Sequence, residues 1–246
     1  MSTISSRTLR TTTTMKHNIV AEASPFVAEA SLPRTIHDRE CFGYFNPADD
    51  LEIYYGDLPH WRQDGVIYFV TFRLADSLSQ TQLKQIMEDR ETWLRINRNR
   101  NHNDFTKEDW ETYNELFHQR IEKWLDAGYG SCVLKDIEII KIVVNALKHF
   151  DEIRYRLDSY VIMPNHIHII VAPFSGYSLS QITHSWKSFT ANEINKFLGK
   201  NGQLWRHESY DHIIRNEESL INIRQYIKLN PVKAGIQLPE IAMFVS

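Results

Sequence analysis

Arg154 to Ala172 reads RYRLDSYVIMPNHIHIIVA, and the reading of this stretch decides the fold. Runs of β-branched and aromatic residues flank Pro164-Asn165, a pair with turn chemistry. They predict two strands, Arg154 to Met163 and His166 to Ala172, around a tight turn. Residues two apart in a strand share a face, so His166 and His168 project together while Ile167 and Ile169 point the other way. Two imidazoles so placed can chelate one cation or form an ordinary structural histidine pair, and the tripeptide alone fits both. Ile170 stands where a histidine-triad hydrolase would present a third alternating histidine, and no His-Glu-x-x-His motif occurs in the chain.

Working outward, VIYFVTFRL (Val66 to Leu74) follows Asp64-Gly65 and predicts a strand. IEIIKIVVNALKHF (Ile137 to Phe150) has apolar residues three and four apart, as in an amphipathic helix. A further helix is expected from Leu179 to Leu198, with Leu179, Ile182, Trp186, Phe189 and Phe197 on its apolar face. ESYDHIIR then predicts a strand, and Asn216-Glu217-Glu218 opens a last helix that Pro231 should end. This order predicts an α+β fold: a ferredoxin-like antiparallel sheet with helices on one face, plus a C-terminal helix. The composition from Ser79 to Asp126, broken by NRNRNHND, predicts a helical hairpin inserted at about 79–130. Residues 1–35 begin with a Ser/Thr-rich stretch lacking acids and are expected to stay disordered, with Met15 as an alternative start. Residues 36–246 are expected to form a single domain, entered through an irregular stretch from Phe26 to Pro59.

With 246 residues, 42% of them hydrophobic, the chain can bury one sizeable core. Its two cysteines, Cys41 and Cys132, match no metal or disulfide framework, so a reducing compartment, the cytoplasm, is expected. Lys135, Lys141 and Lys148 interrupt the most aliphatic region, and no membrane segment is expected. A net charge of -3 argues against uniform positive charge but leaves room for a local basic surface. From Gln181 to Gly235 there are eight Lys and Arg against five Asp and Glu, a modest excess that an ordinary mixed surface also shows.

A second constellation lies in IRQYIKLNPVKAG (Ile223 to Gly235). Tyr226 and Asn230 are four apart and would share one helical face, although the proline after Asn230 favours a backbone leaving the helix there. Read alone, a packing tyrosine and a terminating asparagine fit as well.

Together MPNHIHII, WKSFT, LWRHESYDHIIRNEE and YIKLNPVKAG resemble the His-hydrophobic-His single-tyrosine transposases, most closely the branch associated with repetitive extragenic palindromes. The resemblance runs from about Tyr68 to Gly235. The acidic balance and the 79–126 insertion depart from the compact family pattern. The resemblance implies that His166 and His168 bind a divalent metal, with Asn230 completing the site, and that Tyr226 is the nucleophile. It implies cleavage and rejoining of single-stranded or hairpin DNA at palindromic elements through a 5'-phosphotyrosine, by a monomer in preference to the homodimer that related insertion-sequence enzymes form. An amide oxygen beside two imidazoles suits Mg2+ or Mn2+. Lys187, Arg206, Arg215 and Lys233 are candidate phosphate contacts, and Trp186, Trp205 and Tyr210 could stack on bases, although Trp186 lies on an apolar helix face. His212 is a candidate supporting residue. Two other functions fit the same residues: a domesticated DNA-binding protein without cleavage, and a metal-dependent phosphoesterase using water.

Overall fold

The structure, a computed structural model, describes residues 42–55, 59–97, 109 and 119–246. The expected disordered tail and most of the connection between the inserted helices lie outside these residues. In chain order the elements are β1 (Glu52–Tyr55), β2 (Pro59–Arg62), β3 (Tyr68–Arg73), α1 (Gln80–Asn97), α2 (Arg120–Asp126), α3 (Ile137–His149), β4 (Tyr155–Ile162), β5 (His166–Pro173), α4 (Leu179–Leu198), β6 (Tyr210–Ile213), α5 (Glu217–Lys233) and β7 (Met243–Val245).

The hairpin of β4 and β5 lies within a five-stranded antiparallel sheet of order β6-β3-β5-β4-β7, and α3 and α4 make its two crossovers. This is the ferredoxin-like α+β plan that the element order predicts. Strand parity then assigns the two faces. Tyr68, Val70, Phe72, Ile167, Ile169 and Val171 form one core with α3, through Ile139, Val143 and Leu147, and with α4, through Leu179, Ile182, Trp186 and Ile194. Phe69, Val161, Ile170 and Ile214 take the other face, against Leu220 and Ile227 of α5. The helices expected on one face are thus α3 and α4, while α5 covers the face that carries His166 and His168.

Local chemistry marks the helix ends. Ser178 and Gln181 make a reciprocal capping box at α4, and Asn216 accepts from the Ser219 N–H at the start of α5. A β-bulge between Leu157 and Ser159 releases Asp158 from the ladder, and its carboxylate takes Arg224 of α5 in a two-pronged ion pair.

Three expectations change. The buried stripe of α4 is Leu179, Ile182, Trp186, Thr190 and Ile194, whereas Phe189 and Phe197 are half exposed. Thr190 tolerates burial because its hydroxyl donates to the Trp186 carbonyl and accepts from Trp205 Nε1 at 2.8 Å. Secondly, α5 does not stop at Pro231 but runs to Lys233. So late in a helix, proline sacrifices one hydrogen bond, and the buried ring and the Ala234 N–H to Asn230 carbonyl bond hold the last turn. Thirdly, the stretch read as irregular contributes β1, which pairs antiparallel with β2 at its end, and β7 adds an edge strand beside β4.

Candidate active site

His166 and His168 lie on β5 on the face covered by α5, and both side chains are fully buried. Asn165 fixes the first ring. Its amide nitrogen donates to the Tyr129 carbonyl at 2.9 Å, so its oxygen faces His166 Nδ1 at 2.8 Å and accepts that N–H. This leaves His166 Nε2 as a lone pair aimed into the site. The His168 ring is held by Thr71 Oγ1, 2.8 Å from its Nδ1, and by Phe69, stacked at 5.5 Å. The two Nε2 atoms stand 3.0 Å apart, an approach that needs a proton or a cation between them. Burial, and then the neighbouring His168, depress the pKa of His166 to about 3, so this imidazole is neutral.

The third member comes from the inserted helix α2. Glu122, 8% exposed, brings Oε2 to 3.2 Å from His168 Nε2. One nitrogen of each histidine and one oxygen of Glu122 lie within 4.8 Å of one another. A turn later Asp126 Oδ1, buried and without a hydrogen bond, lies 3.9 Å from His166 Nε2. Burial, and then the negative charge of Glu122, raise the Asp126 pKa.

Tyr226 of α5 completes the cluster. Its hydroxyl donates to Glu122 Oε2 at 2.5 Å and lies 3.3 Å from His168 Nε2. Burial and the charge of Glu122 raise its pKa, so the phenol is held protonated. Asn230, one turn on and 1% exposed, has its amide beside the Tyr226 hydroxyl and the Asp126 carboxylate, and its contact with each opposes the rise of their pKa values. Two imidazoles, a carboxylate and an amide form a donor set that fits a divalent cation.

The remaining candidates scatter. Lys233 Nζ sits 5.8 Å above the Tyr226 ring. His212 contacts Phe69 at 5.4 Å, and so reaches His168 through that ring. Lys187 and Arg206 line a separate cleft between α4 and the Gly202–Asp211 segment. Arg215 is exposed, beyond the end of β6 where Ile213 pairs with Tyr68, whereas His166 pairs with Arg73 at the other end of β3. Trp186 and Trp205 are buried in the core and offer no stacking face, while Tyr210 is half-buried beside His212. Sequence reasoning missed Glu122 and Asp126. The available signal was an acid pair four apart in RIEKWLD.

Residues 135–230 match the family described as IS200-like transposases. A protein of Haemophilus influenzae, described as uncharacterized, is 30% identical over 98 residues, which cover 31% of this chain and 54% of the relative. The chain thus spans about half the length of that curated relative. A solved structure described as a REP-associated tyrosine transposase bound to a REP hairpin is 16% identical, with a TM-score of 0.41, over 74% of this chain and 75% of that one.

Proposed function

We propose, from the IS200-like transposase domain matched by residues 135–230, that this protein cleaves and rejoins single-stranded DNA through a covalent bond to Tyr226. The observation that carries the reading is the convergence of the Tyr226 hydroxyl, from α5, on Glu122 and on the buried histidine pair of β5. The ordered motifs around His166, Trp186, Trp205 and Tyr226 support the palindrome-associated branch, with hairpin DNA as the substrate.

His166, His168 and Glu122, with Asn230 beside Tyr226, are the residues that would hold a divalent metal, Mg2+ or Mn2+. Bound there, the ion supplies positive charge that polarises a phosphoryl oxygen and offsets charge growing in the transition state. The chain's own residues perform the transfer. Tyr226 Oη forms the new bond to phosphorus, and the bond from phosphorus to the 3'-oxygen breaks. The phenolic proton passes along the existing hydrogen bond to Glu122, and the leaving 3'-oxygen takes up a proton to become a hydroxyl. A 3'-hydroxyl later attacks the phosphotyrosine, and Tyr226 regains its proton. One phosphodiester is exchanged for another, so no ATP is consumed. The chain is read as acting as a monomer, with Tyr226 serving the site of His168 on the same chain.

The test is incubation with a labelled single-stranded hairpin oligonucleotide and Mn2+, followed by a denaturing gel. A covalent protein-DNA band is expected, and it should disappear in Tyr226→Phe. Turnover without a covalent band would favour attack by water, and binding without any cleavage would favour a DNA-binding protein.

A further inference from the structure

Thr71 lies inside the core strand β3, buried among Phe69, Val70 and Phe72. A hydroxyl in such a place is costly unless it is hydrogen bonded. Its bond is to His168. The two residues are cross-strand partners on the face covered by α5, and Thr71 Oγ1 stands 2.8 Å from His168 Nδ1.

The two histidines are therefore held by unlike groups. Asn165 spends its amide nitrogen on the Tyr129 carbonyl, so the oxygen that faces His166 can only accept, and His166 keeps its hydrogen on Nδ1. A hydroxyl both donates and accepts, so Thr71 suits either tautomer of His168. That freedom matters at the other nitrogen. The Nε2 atoms, 3.0 Å apart, have room for one hydrogen between them. Glu122 Oε2, 3.2 Å from His168 Nε2, draws it to His168. His168 Nε2 is thus a donor, whereas holding a cation requires a lone pair on it. A neutral imidazole that frees Nε2 carries its hydrogen on Nδ1, and a buried Nδ1–H needs an acceptor. Thr71 Oγ1 is placed to be that acceptor.

We propose that Thr71 is a positioning residue for metal binding: by accepting the Nδ1–H of His168 it lets His168 turn Nε2 from hydrogen-bond donor into ligand, while Asn165 keeps His166 in the ligand tautomer throughout. The proposal rests on the reading of the histidine pair as a metal site, and not on the DNA chemistry.

The experiment compares the wild type, Thr71→Val and Thr71→Ser as full chains, stripped with EDTA and dialysed, by calorimetric titration with Mn2+. Valine keeps the shape and suits a strand but cannot accept a hydrogen bond. It should weaken Mn2+ binding about 10- to 100-fold. Serine keeps the hydroxyl and should bind Mn2+ like the wild type. Nitrogen NMR of the histidine rings, with saturating Mg2+ as a diamagnetic probe, should place the His168 hydrogen on Nδ1 in the wild type. In Thr71→Val at the same Mg2+ concentration it should stay on Nε2, a change that lost packing would not produce. Circular dichroism checks that each variant is folded. Equal Mn2+ affinity in the wild type and Thr71→Val would overturn the proposal. So would a serine variant as weak as the valine one, or a wild-type His168 that keeps its hydrogen on Nε2 with Mg2+ bound. A wild type that binds neither ion would sink the metal reading and this proposal with it. If Mn2+ binding depends on the Thr71 hydroxyl but no covalent band forms on hairpin DNA, the transfer chemistry falls alone and Thr71 keeps its role.

Discussion

Replacing Tyr226 with phenylalanine should tighten metal binding, even though it removes the proposed nucleophile. Glu122 Oε2 accepts the Tyr226 hydroxyl at 2.5 Å, and the same oxygen faces His168 at 3.2 Å. A cation taking that oxygen as a ligand must compete with the phenol. A hydrogen bond to a charged group contributes about 1.5–3 kcal/mol, and about 1.4 kcal/mol is a tenfold change in affinity. Removing the competitor can therefore tighten binding by about 10- to 100-fold, and the lower end is expected because a carboxylate has lone pairs to spare. Glu122→Gln keeps the shape, loses the charge and should weaken binding at least about 10-fold. Calorimetric titration of Mn2+ into EDTA-stripped, then dialysed, protein measures both. Equal affinity in the wild type, Tyr226→Phe and Glu122→Gln would refute the assignment of Glu122 as a ligand that Tyr226 shares.

Other perturbations probe the frame around the site. Burial alone would lower the His60 pKa, but Asp211 and Glu208 raise it to about 9. With the folded value above the ordinary 6.5, the contribution of His60 is complete below pH 6.5 and is lost as pH rises through 9. Urea melts should show about 1.4 kcal/mol per pH unit across that window, on the order of 3 kcal/mol in all, and His60→Gln should flatten the slope. Arg224→Met removes the ion pair that ties α5 to the Asp158 bulge. A loss on the order of 1–2 kcal/mol is expected in urea melts, with a fall in covalent adduct yield at unchanged strand affinity. Trp186, 2% exposed, packs edge-on to Tyr155 at 5.1 Å and donates to its hydroxyl. Trp186→Ala should cost about 3–5 kcal/mol by the same measurement.

Much of the sheet was legible because its signals are local. Pro164-Asn165 between two β-rich runs determined the central hairpin, and period-two alternation already put His166 and His168 on one side. The α3 stripe and the Asn216 cap were equally readable. Phe189 misled because hydrophobicity was counted without phase: the core follows Trp186, Thr190 and Ile194, and Trp205 makes the polar member acceptable. Pro231 misled because its rule applies to a helix interior, and here only the last turn was at stake.

By itself, then, the sequence determined the sheet, the histidine face and the helix that carries Tyr226 and Asn230. The tertiary structure decided what meets them. A glutamate in a polar inserted helix reads as solvent-facing, since burying an unpaired carboxylate costs several kcal/mol on the order-of-magnitude scale. That cost is offset only where α2 brings Glu122 to the Tyr226 hydroxyl and His168, partners 104 and 46 residues away in the chain. Local periodicity carries no information about such a meeting. The opposite-face placement of α5 arises in the same way, from strand pairing and helix packing between distant segments.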